Sequence, residues 1–166
     1  MSKNKYEEVL MKIEKNLERR ENAWKKLERV CELLREIPHY QWVGFYLVRG
    51  EELVLGPFSG EPTEHVRIPF GLGVCGRAAK EKRILVVQDV SKESNYLACS
   101  PKVKSEIVLP VFKEGEIIGE LDIDSHYLSP FSDEDVSFLE VVAREVSDIL
   151  YSIWRELHGW GKTSNL

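Results

Sequence analysis

The stretch Lys104-Ser105-Glu106-Ile107-Val108-Leu109-Pro110-Val111-Phe112-Lys113-Glu114-Gly115-Glu116-Ile117-Ile118-Gly119-Glu120-Leu121-Asp122-Ile123-Asp124 decides the fold. Two apolar-rich runs, 104–112 and 116–124, flank the turn-forming triplet Lys113-Glu114-Gly115 and read as an antiparallel hairpin. A three-residue loop with Gly115 in the left-handed region pairs Phe112 with Glu116. That register sets Glu106 opposite Asp122, Ile107 opposite Leu121 and Val111 opposite Ile117, with the apolar residues on one face. A two-residue loop mixes apolar and acidic residues on both faces, so the pattern favours three. Because alternate strand residues share a face, Glu106, Asp122 and Asp124 form a cluster of three carboxylates.

Outward from the hairpin, residues 89–100 carry turn residues and no period, the mark of a long surface loop, and include Cys99. Before it come a short apolar strand at 84–87, a brief helix at 77–81, the glycine cluster 71–76 and a short strand at 65–69. A first hairpin joins 41–49 to 53–58 through Gly50-Glu51-Glu52. Leu10, Ile13 and Leu17, then Trp24, Leu27, Cys31 and Leu34, recur at helical spacing as one long or two shorter amphipathic helices ended by Pro38. After the second hairpin, Ser132-Asp133-Glu134-Asp135 gives an N-cap and an acidic first turn. Leu139, Val142, Val146, Ile149, Ile153 and Leu157 carry a C-terminal helix over 132–158. The order predicts an α+β protein with an antiparallel sheet and helices packed on it. It fits one domain over 1–166: a helical segment 1–37, a sheet with active-site loops over 41–124, and the final helix.

The 166 residues, 43% hydrophobic and 31% charged, suit a globule with a core. Twenty-eight acidic against 23 basic groups leave a net charge of -5, which argues against nucleic acid or anionic lipid as partner. No long apolar run or signal-peptide pattern is present, so a cytoplasmic protein acting on a small ligand or a protein partner is expected. Three cysteines exclude a disulfide scaffold.

Three readings compete for the carboxylates. They lie on a solvated face, or they join His126 in a metal site, or they fill a closed pocket where repulsion keeps one protonated as a proton donor. Gly71-Leu72-Gly73-Val74-Cys75-Gly76 matches a dinucleotide fingerprint, but strands and helices do not alternate around it. The glycines instead predict a tight turn bringing backbone close to a ligand, with Cys75 near a helix N-terminus that favours a thiolate. Cys31 lies on an apolar stripe and reads as structural. Cys75 and Cys99 are either a reactive pair or incidental; with the carboxylates nearby, redox chemistry leads.

Trp42-Val43-Gly44-Phe45-Tyr46-Leu47, Leu55-Gly56-Pro57-Phe58, Arg67-Ile68-Pro69-Phe70-Gly71, Gly73-Val74-Cys75-Gly76, Ala98-Cys99, Ser105-Glu106-Ile107-Val108-Leu109-Pro110 and Leu121-Asp122-Ile123-Asp124-Ser125 resemble the free methionine-(R)-sulfoxide reductases, a GAF-domain family. The resemblance covers about 41–140. It implies a GAF fold with a central six-stranded antiparallel sheet, N- and C-terminal helices, and a small pocket for free methionine sulfoxide without a cofactor or metal. By that resemblance Cys99 is the nucleophile left as a sulfenic acid, and Cys75 resolves it to a disulfide that thioredoxin or a similar thiol reductant recycles. Glu106, Asp122 and Asp124 hold and polarise the sulfoxide oxygen, while Trp42 and Tyr46 line the pocket. Where the family often has a third cysteine before Arg67-Ile68-Pro69, this chain has His65 or a neighbour, and Tyr96 and Ser100 replace a His and an Asp beside the nucleophile. The alternative is a GAF module that binds a small ligand as a sensor or scaffold without turnover. The terminal helices suggest a possible homodimer.

Overall fold

The computed structural model describes residues 3–97 and 100–164. Two helices open the chain, α1 (Lys3–Leu17) and α2 (Ala23–Leu34), separated where Asn22 caps α2 by accepting from Lys25 N. The hairpin β1 (Trp42–Arg49) and β2 (Glu52–Ser59) follows, then β3 (Arg67–Pro69), α3 (Gly73–Glu81) and β4 (Leu85–Val87). After a 3-10 turn at Val90–Lys92 come β5 (Ser105–Lys113), β6 (Glu116–Ser125), α4 (Asp133–Glu145) and α5 (Ser147–Ser164). The strands form one antiparallel six-stranded sheet in the order β3-β2-β1-β6-β5-β4, the architecture expected from the sequence. No parallel crossover exists among these strands, so the glycine cluster does not belong to a dinucleotide fold.

The β5–β6 hairpin departs from the expected register. Lys113 pairs with Glu116, so the loop is the two residues Glu114 and Gly115, both with positive φ (52° and 81°). A bulge between Val111 and Phe112 on the ladder then shifts the pairing again. Glu106 therefore sits opposite Asp124, not Asp122, and Ile107 faces Ile123. The extra residue restores the parity a plain two-residue loop would break, so apolar and acidic residues still separate onto opposite faces.

One face carries Val43, Phe45, Leu47, Ile107, Leu109, Leu121 and Ile123 against α1, α2, α4 and α5. Cys31 is buried in this core, as its stripe predicted, but Trp24 is 43% exposed: Leu27, Val30, Cys31 and Leu34 supply the buried face of α2. The expected single C-terminal helix is broken at Val146, where the Ser147 hydroxyl donates to Phe112 O at 2.6 Å and ties the start of α5 to β5. The N-terminus of α4 is fixed by a capping box between Ser132 and Asp135. Asp135 Oδ1 also accepts from the hydroxyls of Tyr6 (2.9 Å) and Tyr40 (2.6 Å) and lies 2.8 Å from His39 Nε2. This links α1 and the segment before β1 to α4. No helix among the described residues is long and apolar enough to cross a membrane.

Candidate active site

The second face of the sheet is covered by α3 and the loops around it. Alternation along β5 and β6 points Glu106, Glu120, Asp122 and Asp124 to this side, and none is more than 5% exposed. The carboxylates are thus enclosed, which removes the solvated-face reading.

Cys75 reaches the cluster because the turn before α3 folds back on itself. Gly71 and Gly73 take φ values of 91° and 67°, and Gly71 N donates to Gly76 O at 2.8 Å. A Cβ on Gly76 would stand 2.5 Å from Pro69 O, so the close backbone approach that glycine permits is to the chain itself rather than to a ligand. Asn95 clamps the turn from the opposite loop, accepting from Gly73 N (3.0 Å) and donating to Gly71 O (2.8 Å). Arg77 pairs with Glu93 at 2.6 Å and fastens the same loop to α3. Asn95 precedes Cys99 by four residues; Ala98 and Cys99 lie outside the described residues.

Cys75 is 5% exposed, and its Sγ donates to Glu106 Oε2 at 3.6 Å. Burial, then the charges of Asp122, Glu106, Glu120 and Asp124, push its pKa well above the usual thiol range. Burial and the surrounding acids thus oppose the thiolate expected from the helix N-terminus. Burial likewise raises Asp122, with Glu106 and the Cys75 thiol offsetting part of the rise. Glu120, 0% exposed, is pushed well above the carboxylate range by burial and by the charge of Asp122, the thiol again offsetting part. Burial thus favours the protonated form of Glu120 and Asp122, the form that can donate a proton.

Cys75 Sγ and one oxygen each from Glu106 and Asp122 lie within 4.8 Å of one another, close enough to be weighed as cation ligands. With the Cys75 thiol donating to Glu106 Oε2, the trio as it stands is a hydrogen-bonded cluster of acids and thiol.

Tyr46, Cys75, Glu106 and Asp122 line one cavity with His65, Leu72 and Leu97, and it has about 10 Å³ of room, enough for about one water. Tyr46 donates from its hydroxyl to His65 O at 2.9 Å. Trp42 and Asp124 line a second pocket of about 110 Å³ with Arg35, Glu61, Ser100 and His126. Trp42 stacks on Phe58 and donates from Nε1 to Glu61 O at 2.9 Å. The described site residues named from the sequence thus share one face but divide between two pockets, Leu97 bordering the first and Ser100 the second. The sequence reading passed over Glu120 and Asn95. The alternation that placed Asp122 and Asp124 together extends to Glu120, whereas nothing local in the chain pointed to Asn95.

Residues 25–150 match the GAF-domain family. GAF domain-containing protein A of Dictyostelium discoideum is 45% identical over 140 residues, 84% of this chain and 88% of the relative. The free methionine-R-sulfoxide reductase of Escherichia coli K12 is 40% identical over 118 residues, 71% of each chain. Among solved structures, the free methionine-R-sulfoxide reductase of Neisseria meningitidis in complex with its substrate superposes with a TM-score of 0.82 at 38% identity, over 91% of this chain and 92% of that one. The chain belongs to the GAF-domain family, in the branch that contains the free methionine-R-sulfoxide reductases.

Proposed function

We propose that this chain reduces free L-methionine (R)-S-oxide to L-methionine. The observation that carries the reading is the enclosed acid cluster against the Cys75 thiol, in which burial favours the protonated form of Asp122 and Glu120. A sulfoxide oxygen grows more basic as sulfur is attacked, and a neutral carboxylic acid is the group that can donate to it. The reductase relatives, one of them solved with its substrate, support the same substrate class.

In the cycle, the Cys99 sulfur attacks the sulfoxide sulfur while Glu106, Asp122 and Asp124 stabilise and protonate the oxygen. The S–S bond so formed gives way as the substrate's S–O bond breaks and the oxygen becomes bonded to Cys99 with the thiol's proton, so methionine leaves and Cys99 is a sulfenic acid. Cys75 then attacks Cys99, water departs, and a Cys75–Cys99 disulfide remains for thioredoxin or a similar dithiol to reduce. Tyr46 lines the acid cavity, which must widen to admit the substrate, and Trp42 lines the second pocket of about 110 Å³. Such a cycle needs a reducing compartment, which fits a cytoplasmic location.

The test is to mix reduced protein with racemic free methionine sulfoxide, without reductant, and to count methionine released and thiols lost. The expected result is about one methionine per chain with loss of about two thiols, both traced to Cys75 and Cys99. Cys99→Ser releases none, and Cys75→Ser stops after the first equivalent with Cys99 still oxidised. Binding of the sulfoxide with no methionine released and every thiol retained would instead establish a ligand-binding module.

A further inference from the structure

Cys75 Sγ and one oxygen each from Glu106 and Asp122 converge from α3, β5 and β6 to within 4.8 Å of one another, on the cavity that they line together. Asp122 is 1% exposed, and its Oδ1 is buried with no hydrogen-bond partner among the described residues. A buried carboxylate oxygen without a donor is costly unless a proton or a cation meets it. The space is about 10 Å³, room for one water or one bare ion, so an ion fits where the sulfoxide needs the cavity to widen. The spacing suits an ion as well. Tetrahedral zinc, with Zn–S of about 2.3 Å and Zn–O of about 2.1 Å, sets a sulfur and an oxygen about 3.6 Å apart. Cys75 Sγ and Glu106 Oε2 stand 3.6 Å apart. Calcium and magnesium are poorly served, because they need six or more oxygens or several retained waters. A sulfur with two carboxylates selects a thiophilic ion instead.

We propose that Cys75, Glu106 and Asp122 form a binding site for one thiophilic divalent cation of the zinc class, whose occupancy closes the cavity to the sulfoxide. The inhibition rests on the reductase reading above; the binding does not. On binding, the Cys75 S–H proton passes to solvent, the sulfur and the two carboxylates donate to the ion, and no electron is transferred. The charge of the ion offsets the acids that oppose a bare thiolate. Three protein donors leave the fourth tetrahedral position to water. His126, weighed with these acids from the sequence alone, lines the second pocket with Asp124 and is not part of the set.

The test titrates the whole reduced protein with zinc against a chromophoric chelator, and separately with cadmium while following the ultraviolet absorption of a cadmium–thiolate bond. About one zinc per chain is expected, undisplaced by excess magnesium. Cys75→Ser and Asp122→Asn, with their melting transitions checked, should each weaken zinc by at least about 100-fold, and Cys75→Ser should lose the cadmium absorption. Cys31→Ser should keep both, since that thiol lies in the other core and donates to Pro57 O. Zinc affinity within a few-fold of wild type in Cys75→Ser or Asp122→Asn, or no zinc bound by wild type, overturns the site. Should either variant not fold, alkylation of Cys75 in wild type decides: zinc is expected to block it, and an unchanged rate overturns the site. In the first-turnover assay, bound zinc is expected to stop methionine release and a chelator to restore it. Release unaffected by bound zinc overturns the inhibition. Absence of release from zinc-free wild type overturns the reductase reading and the inhibition with it, while the binding measurements still decide the site.

Discussion

Asp135→Asn tests how the helical layer is held to the sheet. Asp135 is 1% exposed, and burial alone would raise its carboxyl. His39, the Ser132 backbone N–H and Tyr40 outweigh burial and bring it down from the ordinary 3.8 to about 2. A carboxyl more acidic when folded than when unfolded stabilises the fold above the unfolded value, and that stabilisation is lost as pH falls through the folded value. The difference between 3.8 and about 2 corresponds to about 2.4 kcal/mol at 1.36 kcal/mol per decade. The cluster borders an open pocket of about 440 Å³ lined by Tyr6, His39 and Ser132 among others, and water there screens part of it. The expected pH-dependent share is therefore about 1–2 kcal/mol. Denaturant unfolding of wild type and Asp135→Asn at matched pH gives the measurement, because every other carboxyl cancels in the difference. The gap between the two proteins should shrink by that amount from about pH 6 to about pH 2. A gap that stays constant over this range refutes the argument, since the hydrogen bonds would then contribute without favouring the charged form.

Gly119→Ala places a Cβ 2.3 Å from Tyr46 O, a backbone atom that cannot yield cheaply, and should destabilise by about 1–3 kcal/mol in denaturant unfolding. Glu114→Gly relieves a left-handed non-glycine residue in the β5–β6 turn (φ 52°) and should stabilise by about 0.5–1 kcal/mol in the same assay. Asp122→Asn keeps the shape but removes a buried carboxyl from the cavity, and should slow first-turnover methionine release by about 100-fold without altering the melting transition by more than a few degrees. An unaffected release rate would place the proton donor elsewhere.

The period-two pattern of β5 and β6 determined, without any structure, that Glu106, Asp122 and Asp124 share a face, because side-chain alternation is a local property of an extended chain. It even survived an incorrect loop: the two-residue turn and the bulge together preserve the parity that a three-residue turn would have set, displaced by two residues. The burial of Cys31, the Ser132 cap and the strand order's antiparallel character were readable for the same reason, each resting on neighbours in sequence or on short connections. The interruption at Val146 was not, because its tie is between Ser147 and Phe112, on separate elements. Nor was the Asp135 cluster, whose Tyr6 contact spans 129 positions. The sequence placed Cys75 at a helix N-terminus and so suggested a thiolate. The fold seals that thiol beneath α3 with Glu106, Glu120, Asp122 and Asp124, and opposes that ionisation. Which residues bear the acids was written in the chain, but which of them keep their protons depends on how much water and how many like charges surround each one, and only packing sets that.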